Sequence, residues 1–417
     1  MKKVITYGTY DLLHYGHIKL LERAKALGDY LIVGVTSDDY DMTRGKINNQ
    51  QSLVERIAAI EALGLADQII VEEYEGQKID DIKRLAVDIF TVGSDWEGQF
   101  DYLSEFCKVV YLERTEGVSS SEIRTEKRNI QIKVEGSAAI GHKFINESMF
   151  VNGVQVVDTN DEAALYLVSS PRDHYVQIKQ ALNQGKHVLC EAPLTLSRRE
   201  CEDLFSLAKA NKCVLMEGIK TAYSTAYSRL VLLAKSGKIG DIVSIDATCT
   251  SMKYIGNELE NQWNSICAWG PTALLPIFQI LGTNYLKKSI CTRIVDNDTK
   301  FDGFTKIDFI YSNAVASIKV AKEAKSEGDL VISGTKGYIY VPAPWWKTDY
   351  FEVRYENISD NKRYFYQLDG EGIRYEIIAF ARAIENGKPN FYIEEDVSKA
   401  ICGVVEDYYN DVDVYYI

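Results

Sequence analysis

The sequence predicts an α/β protein made of consecutive domains. Between residues 4 and 125, short apolar runs alternate with stretches of helical spacing, a pattern typical of a parallel sheet covered by helices. A new run begins at residue 130, after the charged segment 122–128, so we place a domain boundary near residue 128. A chain of 417 residues is also too long for a single domain with one hydrophobic core, which favours two or three domains.

Composition and charge exclude several classes of protein. A net charge of -13 and a pI near 5.1 argue against nucleic-acid binding, which relies on Lys and Arg. The eight cysteines are scattered without metal-ligand spacing, so we expect reduced thiols and no dedicated metal site. No leader opens the chain, and no apolar run approaches the ~20 residues that cross a bilayer. We therefore expect a cytoplasmic protein without a membrane span or a nucleic-acid partner.

The segment 8–17, GTYDLLHYGH, follows a predicted strand and precedes the helical pattern Ile18–Leu27. Gly8 allows a ligand to approach the backbone, and the N-terminus of the following helix favours an anion. His14 and His17 are three residues apart, so on one helical turn they share a face and can donate hydrogen bonds to phosphoryl oxygens. Histidines are often plain surface or core residues, but two of the five in the chain fall here. The segment therefore predicts a phosphate-handling turn.

Two further polar segments, 93–98 and 114–121, also follow predicted strands. Because the carboxyl ends of parallel strands meet at one edge of a sheet, we expect all three segments to converge on one crevice. The loop 43–46 adds basic groups, and Arg56 begins a helix that brings its guanidinium toward the same place. The remaining strands predicted in this domain are Tyr30–Val35, Ile69–Glu72, Ile89–Val92 and Val109–Leu112.

The run GTYDLLHYGHIKLLERAKALGDYLIV from Gly8 resembles the start of the glycerol-3-phosphate cytidylyltransferases, within the HxGH nucleotidyltransferase superfamily. Residues 93–98, GSDWEG, and 114–123, RTEGVSSSEI, resemble two further motifs of that family, and the resemblance ends near residue 125. It implies a Rossmann-like nucleotidyltransferase domain over residues 1–128. Its implied reaction transfers CMP from CTP to a small polyol phosphate, by default glycerol-3-phosphate, giving pyrophosphate and a CDP-alditol for teichoic acid or capsule. Glycerol-2-phosphate and ribitol phosphate remain open as acceptors, and the nucleotide base is unproven.

The resemblance also implies roles for individual residues. His14 and His17 act on the α-phosphate, with Lys46 and Arg114 as cationic clamps. Mg²⁺ is expected between the β- and γ-phosphates, held largely by water. Members of this family commonly dimerise, so a homo-oligomer is expected. The residues expected around the nucleotide, with Arg56 the least secure, are Gly8, Thr9, Tyr10, Asp11, Arg56, Asp95, Trp96, Thr115, Ser119 and Ser120.

The second part of the chain carries the spacing of a dinucleotide-binding turn. Gly136 and Gly141 bracket a GxGxxG-type segment with Ala at its middle position, and Asp158 lies about 20 residues further on, where an acid binds ribose hydroxyls. Residues 185–194, GKHVLCEAPL, resemble the GKHVLCEKPL signature of the glucose-fructose oxidoreductase and inositol dehydrogenase (Gfo/Idh/MocA) family. This resemblance implies a shortened Rossmann domain over 129–240. It also implies a C-terminal α+β domain over 241–417 with an open, mostly antiparallel sheet.

The departures from that family bear on function. Ala192 replaces the lysine that assists proton transfer, and Ala268 and Thr272 stand where the family has an acid and a His or Tyr. The interval 159–163 is too short for a further helix and strand, so part of the adenosine pocket is expected to be missing. We therefore predict a redox-inactive second part, with NAD(P) binding doubtful, that serves structure, oligomerisation or docking. The alternative is a reductase that prepares the polyol phosphate, with Lys220, otherwise a solvated lysine, as substitute acid.

Overall fold

The computed structural model describes residues 1–43, 51–74, 76–113, 129–136, 139–151, 153–159, 163–252, 263–366, 368–387 and 392–417. Contacts divide the chain into two compact units, Met1–Arg128 and Asn129–Ile417. No helix in these ranges is both long and apolar enough to cross a membrane.

The first unit is built on a five-stranded parallel sheet in the order β3-β2-β1-β4-β5. Its strands are β1 Lys3–Gly8, β2 Tyr30–Thr36, β3 Gln68–Glu72, β4 Ile89–Gly93 and β5 Lys108–Leu112. Its helices are α1 Tyr15–Lys25, α2 Asp38–Thr43, α3 Leu53–Leu63 and α4 Gln77–Leu85. Every strand predicted for this unit is present, with bounds that differ by a residue or so.

The central strand β1 determines where a ligand can bind in this unit. Val4 and Ile5 are both fully buried and point into separate apolar clusters on opposite faces of the sheet. The strand order reverses direction at β1, which pairs with β2 on one side and β4 on the other. In open α/β sheets such a reversal opens a crevice at the carboxyl ends of the strands. Segments 8–17 and 93–98 both begin there, as expected.

The second unit begins with another five-stranded parallel sheet, in the order β10-β9-β8-β6-β7. Its strands are β6 Ile130–Glu135, β7 Val154–Val156, β8 Ala164–Leu167, β9 His187–Glu191 and β10 Leu215–Gly218. The helices along it are α5 Ala139–Ser148, α6 His174–Asn183 and α7 Arg198–Ala210. This is the doubly wound order 3-2-1-4-5-6 without its third strand. Within the described residues nothing pairs outside β7, as the short interval 159–163 predicts.

The remainder of this unit forms a nine-stranded sheet, β18-β17-β16-β15-β11-β14-β13-β12-β19. The pairs β11–β14 and β12–β19 are parallel and the others antiparallel, which confirms the expected mostly antiparallel sheet. Its strands are β11 Ile242–Thr250, β12 Lys287–Asp296, β13 Phe301–Ile310, β14 Val315–Ala321, β15 Leu330–Gly334, β16 Tyr338–Val341, β17 Tyr350–Arg354, β18 Lys362–Phe365 and β19 Val414–Tyr416. The helices are α8 Thr225–Lys235, α9 Ser265–Leu281, α10 Ile373–Asn386 and α11 Glu395–Tyr409.

Candidate active sites

The two histidines of the phosphate-handling turn stand at the N-terminus of α1. His14 caps the helix, because the Gly16 N–H donates a hydrogen bond to its Nδ1 at 3.1 Å. Its ring stacks on that of His17, with the centroids 3.8 Å apart and 21° between the planes. A neutral His14 that accepts at Nδ1 carries its proton on Nε2, which can then donate. The pair therefore offers imidazole donors at a helix end that favours anions.

The backbone of this turn is strained. Tyr10 and Leu12 both adopt left-handed conformations, with φ of 54° and 49°. Non-glycine residues seldom do so, and such strain is concentrated at functional sites. The buried ring of Tyr10 meets His17 edge-on at 5.5 Å, and a Cβ at Gly8 would lie 2.9 Å from it. Glycine at position 8 therefore gives Tyr10 room to fold back, and burial raises the pKa of the Tyr10 hydroxyl.

Thr9 and Asp11, which the sequence assigns to the nucleotide, tie the turn to the rest of the unit. The Thr9 hydroxyl donates to Oδ1 of Asp41 at 2.9 Å. The Gln51 N–H donates to Oδ1 of Asp11 at 2.9 Å, and the Leu12 N–H donates back to Oε1 of Gln51 at 2.8 Å. These contacts fix the shape of the turn before any ligand is bound.

Arg56 reaches the turn, as the sequence suggested, but its guanidinium is buried and already bound by the protein. Its side chain is 0% exposed, and all of its nitrogens meet protein oxygens. Its partners are the carbonyls of Thr9 (2.6 Å), Thr36 (2.9 Å) and Gln51 (3.2 Å) and the carboxylates of Asp38 and Asp41. We therefore revise its role from contacting the nucleotide to positioning the turn. The acidic run after β2 that supplies these carboxylates was a signal that the sequence reasoning overlooked.

The second predicted segment lies at the end of β4, directly beside β1. A 3-10 turn, Ser94–Trp96, follows the strand, and the half-buried Trp96 ring lies 6.0 Å from that of Phe100. Asp95 is on this turn, although its side chain lies outside what the structure describes. Five other predicted site residues lie entirely outside the part of the chain that the structure describes: Lys46, Arg114, Thr115, Ser119 and Ser120.

A buried charged cluster at the same sheet edge was missed by the sequence reasoning. Lys78 forms an ion pair with Glu72 at the end of β3, and the Thr36 hydroxyl donates to Oε2 of Glu72 at 3.0 Å. The Lys78 ammonium also lies 4.8 Å from the centre of the Tyr7 ring. A buried lysine at the carboxyl ends of the strands is a further cation near the crevice. The acid at the end of the apolar strand β3 was its only signal in the sequence.

In the second unit, the predicted fingerprint residues lie at the end of β6, in α5 and after β7. Gly136 follows β6 with φ of 118°, and a Cβ there would lie 2.6 Å from the Val168 carbonyl oxygen. Gly141 lies in α5 and packs on β6, where a Cβ would meet Val134 at 3.3 Å. Asp158 is exposed just after β7. This set of a glycine turn, a helix start and an acid fits the pyrophosphate and ribose of a dinucleotide.

The catalytic side of this fold has departed from the family pattern. Ala192 is buried directly after β9, and its N–H donates to the Gly218 carbonyl at 3.4 Å. Ala268 and Thr272 lie on α9 without an ionisable group at either position. Neighbouring groups are nevertheless ionisable, since the Tyr166 hydroxyl donates to Glu191, the residue before Ala192. Among the described residues, no group of three or more His, Cys, Asp and Glu is arranged to hold a metal ion.

Comparison with known proteins assigns each unit separately. Residues 5–126 match the cytidylyltransferase-like family model, and residues 130–219 match that of the oxidoreductase family with an NAD-binding Rossmann fold. Glycerol-3-phosphate cytidylyltransferase of Bacillus spizizenii is 48% identical over 130 residues, which are 31% of this chain and 100% of that protein. The Bacillus subtilis protein of the same name is 50% identical over 126 residues, 30% of this chain and 97% of the relative.

A solved structure resembles the second unit in fold. KijD10, a 3-ketoreductase from Actinomadura kijaniata in complex with NADP and TDP-benzene, superposes with a TM-score of 0.60. The match covers 70% of this chain and 100% of that one, at 17% sequence identity. So low an identity shows the fold alone.

Proposed function

The chain belongs to the glycerol-3-phosphate cytidylyltransferase family through its first unit, and we propose that this unit transfers CMP from CTP to glycerol-3-phosphate. The products are CDP-glycerol and pyrophosphate. The observation that supports the proposal most directly is the stacked pair of His14 and His17 at the start of α1. The pair lies beside the reversal point of the sheet, where open α/β folds bind their ligands.

To catalyse this transfer, the protein must position the two substrates and neutralise the negative charge that develops on the phosphate oxygens. An acceptor phosphate is already ionised at neutral pH, so no strong base is needed. The task is to hold it in line with the α-phosphorus and to stabilise the charge on the equatorial and leaving oxygens. His14 and His17 supply hydrogen-bond donors there, together with the N–H groups at the start of α1. Lys46 and Arg114 are proposed as additional cations.

The remaining predicted residues complete the proposed nucleotide pocket. Gly8 and Tyr10 shape the turn, while Thr9 holds it to Asp41 and Asp11 holds it to Gln51. Asp95, Trp96, Thr115, Ser119 and Ser120 are proposed to contact the base, sugar or phosphates. Mg²⁺ is proposed to arrive on the triphosphate, largely coordinated by water, as is usual for this ion.

The product suggests a role in making a surface polymer such as teichoic acid or capsule. Glycerol-3-phosphate is the acceptor named by the two Bacillus relatives, and other short polyol phosphates offer similar groups. A cytoplasmic homo-oligomer, most simply a dimer, is part of the same proposal.

Product analysis tests the choice of substrates. The full chain should convert CTP and glycerol-3-phosphate to CDP-glycerol, identified by its mass. ATP, GTP and UTP at the same concentration should give less product, and so should glycerol-2-phosphate and ribitol 5-phosphate in place of the acceptor. A faster reaction with any of these would reassign the base or the acceptor.

Two functions compete for the second unit. Ala192 supports the interpretation that redox chemistry is lost and that the unit serves docking or oligomerisation. The match to an NAD-binding oxidoreductase family supports the alternative, in which it reduces a keto or aldehyde precursor of the polyol phosphate. The ionisable groups beside Ala192 favour this second candidate.

A further inference from the structure

Lys220 lies beside the position at which the oxidoreductase family has its lysine. The Ala192 N–H donates to the carbonyl of Gly218, the last residue of β10, and Lys220 begins a 3-10 turn directly beyond it. A lysine is thus brought to the same sheet edge from the neighbouring strand. Its Nζ lies 2.9 Å from Oε2 of Glu371, and its charge acts on Glu191 and Glu376.

The half-buried Glu191 and the buried Glu376 are two neighbouring carboxyl groups close to this lysine. Glu191 ends β9 and accepts a hydrogen bond from Tyr166, while Glu376 belongs to α10. Glu376 is 1% exposed, and within the described part of the chain its Oε1 has no hydrogen-bond partner. Burial raises the pKa of both carboxyl groups, and the charge of Glu191 raises that of Glu376 further. Two such carboxyls retain a proton between them near neutral pH.

The ion pair of Lys220 leaves it able to act on a ligand. Its partner Glu371 is also bound by Lys143 at 2.9 Å and by Lys347 at 2.7 Å. Burial alone would raise the pKa of Glu371, but hydrogen bonds from the three lysines hold that pKa well below its usual value. Glu371 therefore stays ionised and paired if Lys220 turns away. The glutamate has a left-handed φ of 56°, a strained conformation of the kind found at functional sites.

These contacts differ from those of a purely structural ion pair. A buried carboxyl oxygen without a partner costs about 1–3 kcal/mol, a cost that a packed core avoids. Here it lies behind a lysine at the carboxyl ends of parallel strands, where α/β folds bind ligands. Pairs of acids whose surroundings hold a shared proton are typical of acid–base catalysis.

We infer that Lys220 is the proton donor of a carbonyl-reducing site in the second unit, with Glu191 and Glu376 as its proton store. Lys220 would thus take over the role of the family's lysine, whose place in this chain is occupied by Ala192. The role of Lys220 rests on the second candidate function above, and only the substrate class depends on the proposed transferase. Gly136 and Asp158 are the groups that would hold a dinucleotide cofactor, and a reduced nicotinamide dinucleotide supplies the hydride.

The carbonyl carbon of the substrate receives the hydride, and Lys220 gives a proton to the carbonyl oxygen, so that an alcohol forms while the dinucleotide is oxidised. Lys220 regains a proton from the carboxyl pair, which is refilled from water. The substrate class is a small phosphorylated ketose or aldose, because its reduction yields the polyol phosphate that the first unit consumes.

The test uses the full chain and two readouts. Binding of NADH and NADPH is followed by cofactor fluorescence, and oxidation is followed with dihydroxyacetone phosphate, glyceraldehyde 3-phosphate and ribulose 5-phosphate. Lys220→Met should lower the oxidation rate at least ~100-fold, the scale of losing a general acid, while cofactor affinity stays within a few-fold. Adding Ala192→Lys to that variant should restore part of the rate. The exposed Lys235 provides the matched control, Lys235→Met, which should behave as wild type.

The outcomes separate this inference from the transferase proposal. Pyrophosphate release by Lys220→Met shows that the first unit is intact, and unchanged cofactor affinity shows that the second unit is folded. His17→Ala should stop pyrophosphate release without changing cofactor binding. Glu376→Gln should shift the pH profile of cofactor oxidation if Glu376 supplies the proton. The inference is overturned if neither cofactor binds saturably, if no carbonyl compound is reduced, or if Lys220→Met reduces substrate at the wild-type rate.

Discussion

The imidazole rings of His14 and His17 lie face to face at the start of α1, with their centroids 3.8 Å apart. Their spacing of three residues places both on one turn of the helix, and the capping bond from the Gly16 N–H fixes the orientation of His14. Two donors are thereby presented together at the positive end of a helix dipole. This relationship is the structural basis of the proposed CMP transfer.

Removing one of these rings should abolish most of the transfer. We expect His17→Ala to lower the turnover number at least ~100-fold, because a main donor to the transition state is lost. Pyrophosphate release from CTP and glycerol-3-phosphate measures it. His142→Ala, at an exposed position of α5, is the control. An unchanged turnover number in His17→Ala would remove His17 from the mechanism.

The buried guanidinium of Arg56 should matter for stability as well as for turnover. Arg56→Lys keeps the charge but cannot bind the carbonyls of Thr9 and Thr36 as a fork, so we expect a loss of about 2–4 kcal/mol in the free energy of unfolding. Turnover should fall with it, because the turn loses its support. Denaturant unfolding of wild type and variant measures the change.

Arg84→Lys is the matched control, since the Arg84 side chain is 61% exposed and has a single ion pair, with Asp81. If Arg56 instead contacted the nucleotide, Arg56→Lys would raise the KM for CTP while leaving the unfolding free energy as it was. That result would restore the role suggested by the sequence.

Much of the first site was predictable because its signals are local. The glycine, the two histidines and the strand before them fall within one short segment, and the spacing alone places both rings on one face. The role of Arg56 was not predictable, because it depends on Thr9, Thr36 and Asp41 meeting it across the fold. Nothing in the order of the residues shows that this guanidinium faces inward.

In the second unit, the short interval 159–163 predicted a shortened sheet, and among the residues that the structure describes no strand pairs outside β7. The cluster around Lys220 was beyond sequence reasoning, because Glu191 and Glu376 come from distant parts of the chain. Only the packing of α10 against the first half of the unit brings them together. Ala192 therefore signalled a missing lysine, but the residues around it in sequence do not identify its neighbours in the fold.

Gly8 should tolerate no side chain. In Gly8→Ala the new Cβ would lie 2.9 Å from the ring of the buried Tyr10, so the ring or the turn must shift. We expect about 1–3 kcal/mol of destabilisation and at least tenfold slower CMP transfer. Gly403→Ala, within α11, is the control, because a Cβ at position 403 would meet only the Arg198 side chain, at 3.7 Å. That change should stabilise the helix by up to about 1 kcal/mol. Full activity in Gly8→Ala would show that the contact is unimportant.

Stability of the second unit should fall as pH rises toward neutrality. Burial raises the pKa of Glu217 from 4.5 to about 7, so the folded state retains a proton that the unfolded state has lost. The stabilisation is complete below pH 4.5 and is lost as pH rises to about 7, a change of about 3 kcal/mol for this group. Glu217→Gln should remove this contribution to the pH dependence of the free energy of unfolding, which is measured by denaturant unfolding at a series of pH values.

Glu202→Gln, at an exposed position of α7, provides the comparison and should unfold with the pH dependence of the wild type. An identical slope in wild type and Glu217→Gln would mean that Glu217 is ionised in the folded protein.

The most direct test of the central claim is pyrophosphate release by the full chain from CTP, Mg²⁺ and glycerol-3-phosphate, without any nicotinamide cofactor. The proposed transferase predicts steady turnover under these conditions, and addition of NADH or NADPH should not change it. Product formed only from a keto or aldehyde precursor together with a reduced cofactor would contradict the claim, because the first unit would then be unable to use a free polyol phosphate.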